Sequence, residues 1–231
     1  MQYPATFELP TTDEQTGLVT APYFRHLLRE ELLPAAEQRG DPLTVLVLDI
    51  DEFLQINETQ GREAGDAVIE EVARVLRNTM PESAVISRMG GDEFAAALPD
   101  VRLDDAFTLA ESVRRAVSEL RFEHRPDIRL STSIGLASYP SHGRRDVELM
   151  READEALYTA KTTGRNKVSL PLADSRMVTK TSHYTATQLQ RLAQLSQEAG
   201  RNVASLLREA LDDLFRKYTA RKEALPARES K

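Results

Sequence analysis

The chain has 231 residues, 41% of them hydrophobic, with 30 basic and 37 acidic side chains and a formal charge of −7. At roughly 100–200 residues per domain, that length holds one or two domains, with apolar content enough for a packed core and charge too well mixed for a disordered chain. It has no cysteine, which excludes disulfides and thiolate metal sites; no run nears the ~18 apolar residues of a membrane span, and no signal peptide opens the chain, so a cytoplasmic protein without a membrane partner is expected.

Residues 1–12 read as a short irregular arm, too small for a sensor domain. A helical stretch over Pro22–Glu37 precedes the apolar run Leu43–Asp49, which is short, β-branched and bounded by Gly40-Asp-Pro42, the pattern of a buried strand. Val68, Ile69, Val72, Val75 and Leu76 then recur at helical spacing within Asp66–Met80. Ala84–Arg88 and Glu93–Leu98 are strands around Met89-Gly-Gly-Asp92, a hairpin signal. Leu103–Leu120 reads as an amphipathic helix, Ile128–Ser138 as a strand, and Arg145–Thr163 as a helix stopped by Gly164. The order βαββαβ with flanking helices predicts an α+β domain with a central, mostly antiparallel sheet.

A linker over 171–176 leads to a Thr/Ser-rich segment, Thr179–Tyr184, and two helices, Thr187–Ala199 and Val203–Tyr218, with Gly200 as a stop and Asn202 as an N-cap; residues 221–231 read as a flexible tail. Leu189, Leu192 and Leu195 on the first helix, and Val203, Leu206, Leu207, Ala210, Leu211 and Leu214 on the second, form stripes that so small a unit cannot bury alone. A homodimer is therefore expected. Residues 175–231 carry 11 Lys and Arg against 6 Asp and Glu, leaving 19 basic and 31 acidic side chains in residues 1–174. An acidic body with a basic end implies two tasks and is compatible with a nucleic-acid partner for the end.

Carboxylates mark the candidate chemistry. Asp49 ends a buried strand, and Asp92 and Glu93 sit at a hairpin tip. If the strands are neighbours, these acids converge, and converging carboxylate oxygens suit Mg²⁺, which keeps substrate phosphates in its shell. Two such ions can activate an attacking hydroxyl and stabilise a leaving phosphate. Gly-Gly-Asp-Glu by itself is more often a surface turn. Here further blocks accompany it.

Those blocks are Asp13-Glu-Gln-Thr-Gly17-Leu18, Leu48-Asp-Ile-Asp-Glu-Phe53, Ile56-Asn57 with Gly61 and Gly65-Asp66, and Arg88-Met-Gly-Gly-Asp-Glu-Phe94. Ser133-Ile-Gly-Leu136, Ala153-Asp-Glu-Ala-Leu-Tyr158 and Ala160-Lys-Thr-Thr-Gly-Arg-Asn166 complete the series. In these seven ordered blocks, residues 13–170 resemble a GGDEF domain, the catalytic unit of diguanylate cyclases. The resemblance implies a palm-like, nucleotidyl-cyclase-like fold and the condensation of two GTP into cyclic di-GMP across a dimer. It further implies that Asp49, Asp92 and Glu93, with the Ile50 carbonyl, hold Mg²⁺, or Mn²⁺ in its place. Asp92 and Glu93 become the catalytic pair, Asp92 assisting removal of the ribose 3′-hydroxyl proton. Asn57 and Asp66 are expected on the guanine edge, where a carboxylate accepts from N1 and N2 and rejects adenine. Lys161 and Arg165, four apart at a helix end, and backbone amides around Glu52, Phe53 and Leu54 are expected on the β- and γ-phosphates.

The chain departs from that family's common pattern in Glu52-Phe53-Leu54 where His-Phe-Lys is frequent, and in Glu58 and Arg62 beside Asn57 and Gly61. Pro81 and Ala84 stand where many cyclases carry the Arg and Asp of a product-inhibition site, so that site is expected to be absent.

Residues 177–218 resemble a ribbon-helix-helix domain, in which two chains pair their strands and the ribbon enters the DNA major groove. The resemblance implies Thr179, Thr181 and His183 on the outward face, Ser182 and Tyr184 inward, and a phosphate contact near Asn202. Arg176, Lys180 and Arg201 would add salt-sensitive attraction. The outward face carries no Arg or Asn for bidentate base contact. Three functions compete: a cyclase dimerised, and DNA-tethered, through its C-terminal domain; a DNA-binding regulator whose cyclase-like domain senses GTP or cyclic di-GMP; and a dimeric scaffold. The complete set of site residues favours the first.

Overall fold

The computed structural model describes residues 10–122, 125–171 and 184–199, together with positions 203, 206, 207 and 210. Thr179, Thr181, His183 and Asn202, with all of the expected ribbon before Tyr184 and the tail 221–231, lie outside the described residues. The chain divides into two compact units, 1–177 and 178–231.

In the first unit a six-stranded sheet runs β1-β3-β4-β2-β5-β6. Its strands are β1 (Val19–Thr20), β2 (Leu43–Ile50), β3 (Val85–Gly90), β4 (Glu93–Pro99), β5 (Thr132–Tyr139) and β6 (Val168–Ser169). The short outer strands pair parallel, β1 with β3 and β6 with β5, and the other pairings are antiparallel. The expected antiparallel centre is therefore present. The helices are α1 (Ala21–Leu27), α2 (Leu33–Arg39), α3 (Phe53–Gln60), α4 (Arg62–Thr79), α5 (Leu103–Glu119) and α6 (Asp146–Thr162), with a π-helical turn, Leu28–Leu32, joining α1 to α2. That wider turn precedes Pro34, whose ring and missing N–H are awkward for an α-helical interior.

Helices cover both faces, so β2 is buried at all eight positions instead of alternating. Strand alternation divides the core. Leu46, Leu48 and Ile50 of β2 and Phe94, Ala96 and Leu98 of β4 join α4 and α5 on one face. Val45 and Val47, with Ala95 and Ala97, join α1, α2 and α6 on the other. Asp49 and Glu93 continue the second set by parity, so both carboxylates belong to the α6 side of the sheet.

The placement of α6 depends on Gly135. A Cβ there would stand 2.1 Å from the Ala153 carbonyl oxygen and 2.3 Å from the Leu157 amide nitrogen, so helix backbone lies directly on β5. Strand β5 starts four residues later than the sequence pattern predicts, at Thr132, because β2 ends at Ile50 and only the Asp51 N–H to Ser131 carbonyl bond extends the pairing (3.0 Å). Ile128 and Leu130 are buried all the same.

Asp51, 6% exposed, ties three segments together. It accepts hydrogen bonds from the Ser131 and Ser133 hydroxyls, both at 2.7 Å, and from the Asn166 amide at 3.0 Å. These donors satisfy a carboxylate that could not otherwise be buried cheaply. They also fix the loop after α6, where Arg165 and Asn166 adopt φ of 57° and 48°.

In the second unit the helix Ala186–Ala199 begins one residue before the expected Thr187. Thr185 caps it reciprocally: its hydroxyl accepts from the Gln188 amide (3.2 Å) while its own amide donates to the Gln188 side-chain oxygen (2.9 Å). Leu189 and Leu195 are 51% and 54% exposed within the single chain, and Tyr184, expected inward on a paired ribbon, is 45% exposed.

Two measurements test this framework. Gly135→Ala should lower unfolding free energy by about 3 kcal/mol, since overpacking against backbone cannot relax by a side-chain rotation; urea denaturation reads it. Ser133→Ala removes one donor from a buried carboxylate and should cost about 1–3 kcal/mol by the same assay.

Candidate active site

The register of β2 against β4 places Asp49 opposite Glu93. Directly opposed positions hold their Cβ atoms about 4.5–5.5 Å apart. One residue on, the Ile50 amide donates to the Asp92 carbonyl at 3.3 Å, which closes the hairpin end onto β2. The tip needs Gly91, whose φ of 52° is left-handed. Arg88 then clasps it: Nε and Nη2 donate to the Gly91 carbonyl at 3.0 and 2.9 Å, while Nη1 reaches Gln15 Oε1 at 2.7 Å and Asp13 Oδ1 at 3.4 Å.

Asp49 is 7% exposed, and its Oδ2 receives the Lys161 ammonium at 2.7 Å from the last turn of α6. Burial, helped by the neighbouring Asp92 and Glu93 charges, holds its carboxyl above the usual carboxylate range although Lys161 pulls the other way. On the same helix burial pushes Asp154 up as well, with Glu93 adding to the effect and Arg25 opposing it. Among the described residues, no three His, Asp or Glu side chains form a preformed metal cage. Mg²⁺ does not need one, because it takes one or two carboxylates and completes its shell with water and phosphate oxygens. A nearly buried Asp49 with acids beside it fits such an ion.

Asn57 on α3 packs against Gly65, the residue before Asp66 on α4. A Cβ at Gly65 would lie 2.0 Å from Asn57 Oδ1 and 3.0 Å from Phe53 Cζ, so the Asn57 amide rests against bare α4 backbone. Gln15 donates to the Asp66 carbonyl at 3.3 Å, and so joins this pair to the Arg88 clasp. Helix α3, which hydropathy did not reveal, starts after Glu52 in left-handed conformation (φ 58°) without a side-chain cap. Phe53 and Leu54 open this helix, where the first amides have no intrahelical partner. Phe53 packs on the core and Leu54 is 70% exposed.

One expectation is corrected. Lys161 lies on α6, but the helix ends at Thr162 and Arg165 follows in a left-handed turn, its amide bonded to the Ala160 carbonyl at 2.9 Å. The two are not an i, i+4 helical pair, because Gly164, at φ 113°, has already broken the helix. The Arg165 side chain is exposed. A cavity of about 720 Å³ along α6 between Arg25, Met150 and Tyr158, and another of about 230 Å³ beside α3, are lined by none of Asn57, Asp66, Lys161 and Arg165.

Three contributors escaped the sequence reading: Asp51 as the carboxylate that ties segments together, Gln15 as the bridge, and Arg88 as the clasp. Period-two alternation does put Asp51 on the face of Asp49, but its serine partners lie about eighty positions away and no local pattern points to them.

The chain matches the family described as "Diguanylate cyclase, GGDEF domain" over residues 11–167, and a ribbon-helix-helix domain over residues 178–219. It is 36% identical over 166 residues to Diguanylate cyclase A of Treponema denticola, covering 71% of this chain and 45% of that protein. To response regulator PleD of Caulobacter vibrioides it is 37% identical over 166 residues, covering 71% and 36%. The chain thus spans less than half the length of these relatives. Among solved structures, the GGDEF domain of YfiN (TpbB) from Pseudomonas aeruginosa superposes with a TM-score of 0.66 at 33% identity, covering 71% of this chain and 97% of that one. The GGDEF domain of DgcB from Caulobacter crescentus, in complex with c-di-GMP, gives 0.65 at 30% identity, covering 74% and 98%. Among the described residues no helix is long and apolar enough to cross a membrane. With a match that takes in well over half of its residues, the chain belongs to the diguanylate cyclase GGDEF domain family.

Proposed function

We propose that the chain condenses two GTP molecules into cyclic di-GMP. The observation that carries this reading is the β2/β4 register, which sets buried Asp49 opposite Glu93 at the hairpin tip. The names of relatives, Diguanylate cyclase A of Treponema denticola and DosC of Escherichia coli, support it.

In each half-reaction the ribose 3′-oxygen of one GTP attacks the α-phosphorus of the other. A phosphorus–oxygen bond forms there, the bond from that phosphorus toward the β-phosphate breaks, pyrophosphate leaves, and the 3′-hydroxyl proton passes to Asp92 or to solvent. Two such steps close the ring and release two pyrophosphates. Asp49, the Ile50 carbonyl, Asp92 and Glu93 would hold the divalent ion, Mg²⁺ or Mn²⁺, which when bound would supply Lewis-acid stabilisation of the phosphate charge. Asn57 and Asp66 read guanine, and the close packing of Asn57 on Gly65 supports a fixed orientation for that contact. Backbone amides at Phe53 and Leu54, with Lys161 and Arg165, take the β- and γ-phosphates, so charge and position rather than covalent chemistry drive the step. Pro81 and Ala84 replace the charged pair of the common inhibitory site, so feedback through that route is weak.

Each active site carries half of the reaction, so the rate depends on two chains meeting. The ribbon-helix-helix match and the exposed Leu189 and Leu195 support residues 177–218 as a dimerisation domain that raises the effective concentration of the partner. The basic balance of 175–231 supports DNA as a further partner of this domain, held mainly through phosphates.

Incubation with GTP and Mg²⁺ followed by chromatography should yield cyclic di-GMP and pyrophosphate, and Asp92→Ala should lower the yield at least about 100-fold with an unchanged circular dichroism spectrum. Unaltered GTP under these conditions would reject the reading. Deleting residues 175–231 should reduce activity per chain most steeply at low protein concentration and abolish any shift of labelled duplex DNA. Equal activity per chain at all concentrations would remove the dimerisation role.

A further inference from the structure

The contact between Lys161 and Asp49 joins two groups to which the cyclase reading gives different ligands. Lys161 is to meet phosphate, and Asp49 is to meet the divalent ion. In the structure they hold each other, Nζ to Oδ2 at 2.7 Å. We propose that Lys161 gates the metal site: before nucleotide binds, its ammonium occupies the Asp49 oxygen that a divalent cation needs, and the phosphates of GTP draw it away. Cation and nucleotide then bind as a coupled pair, not independently. This deepens the cyclase reading and rests on its assignment of Asp49 to the ion.

Geometry makes the exchange feasible. The Asp49 side chain is 10% exposed, whereas that of Lys161 is 33% exposed, so the lysine closes the site from its rim while the carboxylate forms the floor. Lysine carries a compact charge on a flexible four-carbon stem, and can swing without any movement of α6. The helix itself is fixed, because its backbone rests on β5 at Gly135. The other charges acting on Asp49 are the carboxylates of Asp92 and Glu93. With Lys161 in place, its ammonium opposes the negative charge that Asp92 and Glu93 add at Asp49. Once it leaves, that opposition is lost, and a dication replaces it with twice the charge. An ammonium and a dication sharing one carboxylate oxygen would repel each other at short range, so the two states exclude one another. Phosphate oxygens supply the differential contact that shifts the balance, since they bond Lys161 directly in the state in which it has left Asp49. Linkage requires reciprocity: GTP tightens cation binding by the factor by which the cation tightens GTP binding. Solitary cations are then held weakly, and the charged site assembles only when substrate arrives.

The test is titration of the nucleotide-free full-length chain with Mn²⁺, with free ion followed by electron paramagnetic resonance. Lys161→Met should bind Mn²⁺ at least about tenfold more tightly than the unaltered chain, although it has lost a substrate contact. Lys161→Arg retains a cation and should stay near the unaltered affinity. Adding Asp49→Asn to Lys161→Met should abolish the gain. Circular dichroism establishes that each variant is folded, and Lys161→Gln serves in place of Lys161→Met if the latter is not. Equal or weaker Mn²⁺ binding by the folded neutral variant would overturn the gate, as would a gain that survives Asp49→Asn. GTP turnover is scored separately, on the unaltered chain. Product without the tightening overturns the gate and leaves the cyclase reading, whereas tightening without product supports the gate and overturns the cyclase reading.

Discussion

The antiparallel pairing of β2 with β4 is the constraint on which the site depends. Seven consecutive residue pairs run from Leu43 opposite Pro99 to Asp49 opposite Glu93. A slip of one residue would reverse every side chain of one strand and carry its carboxylate to the α4 and α5 face. Burial on both faces prevents that slip: Val45 and Val47 fill one core, and Leu46 and Leu48 the other. The hydrophobic ladder therefore aligns the acids, and the energy that positions the chemistry comes from apolar residues that take no part in it.

A second layer of constraint acts on the segments that approach this sheet end. Gly135 lets α6 lie on β5, which brings Lys161 to Asp49, while Asp51 gathers Ser131, Ser133 and the Asn166 amide so that the loop carrying Arg165 is anchored at the next residue. Arg88 and Gln15 connect the hairpin tip with α4 at Asp66. The residues to which the cyclase reading assigns cation, base and phosphate thus come from five separate elements and the loop after α6, held by a few polar contacts.

Much of this was legible in the sequence, for identifiable reasons. The run Leu43–Asp49 is unmixed and apolar, and Gly90-Gly91 interrupts two short strands, so the central hairpin and its acids followed from local pattern. The ordered blocks from Asp13 to Asn166 supplied the family resemblance. Helix α3 was not legible because none of its residues is fully buried and it offers no apolar stripe. The displaced start of β5 was hidden because Ile128 and Leu130 are buried without pairing, and hydropathy records burial, not hydrogen bonds. The ion pair of Lys161 with Asp49 was also beyond reach. It joins positions over a hundred residues apart, and in sequence each residue had a separate ligand to expect.

The central claim is that the end of β2 and the β3–β4 hairpin hold a divalent ion beside a guanine nucleotide. Diffraction from crystals grown with Mn²⁺ and a non-hydrolysable GTP analogue, recorded at the manganese absorption edge, tests it most directly. The account predicts an anomalous peak within ligand distance of Asp49 and of the Asp92–Glu93 pair, with the base against Asn57 and Asp66. Manganese away from Asp49, or the nucleotide seated elsewhere on the domain, would contradict it.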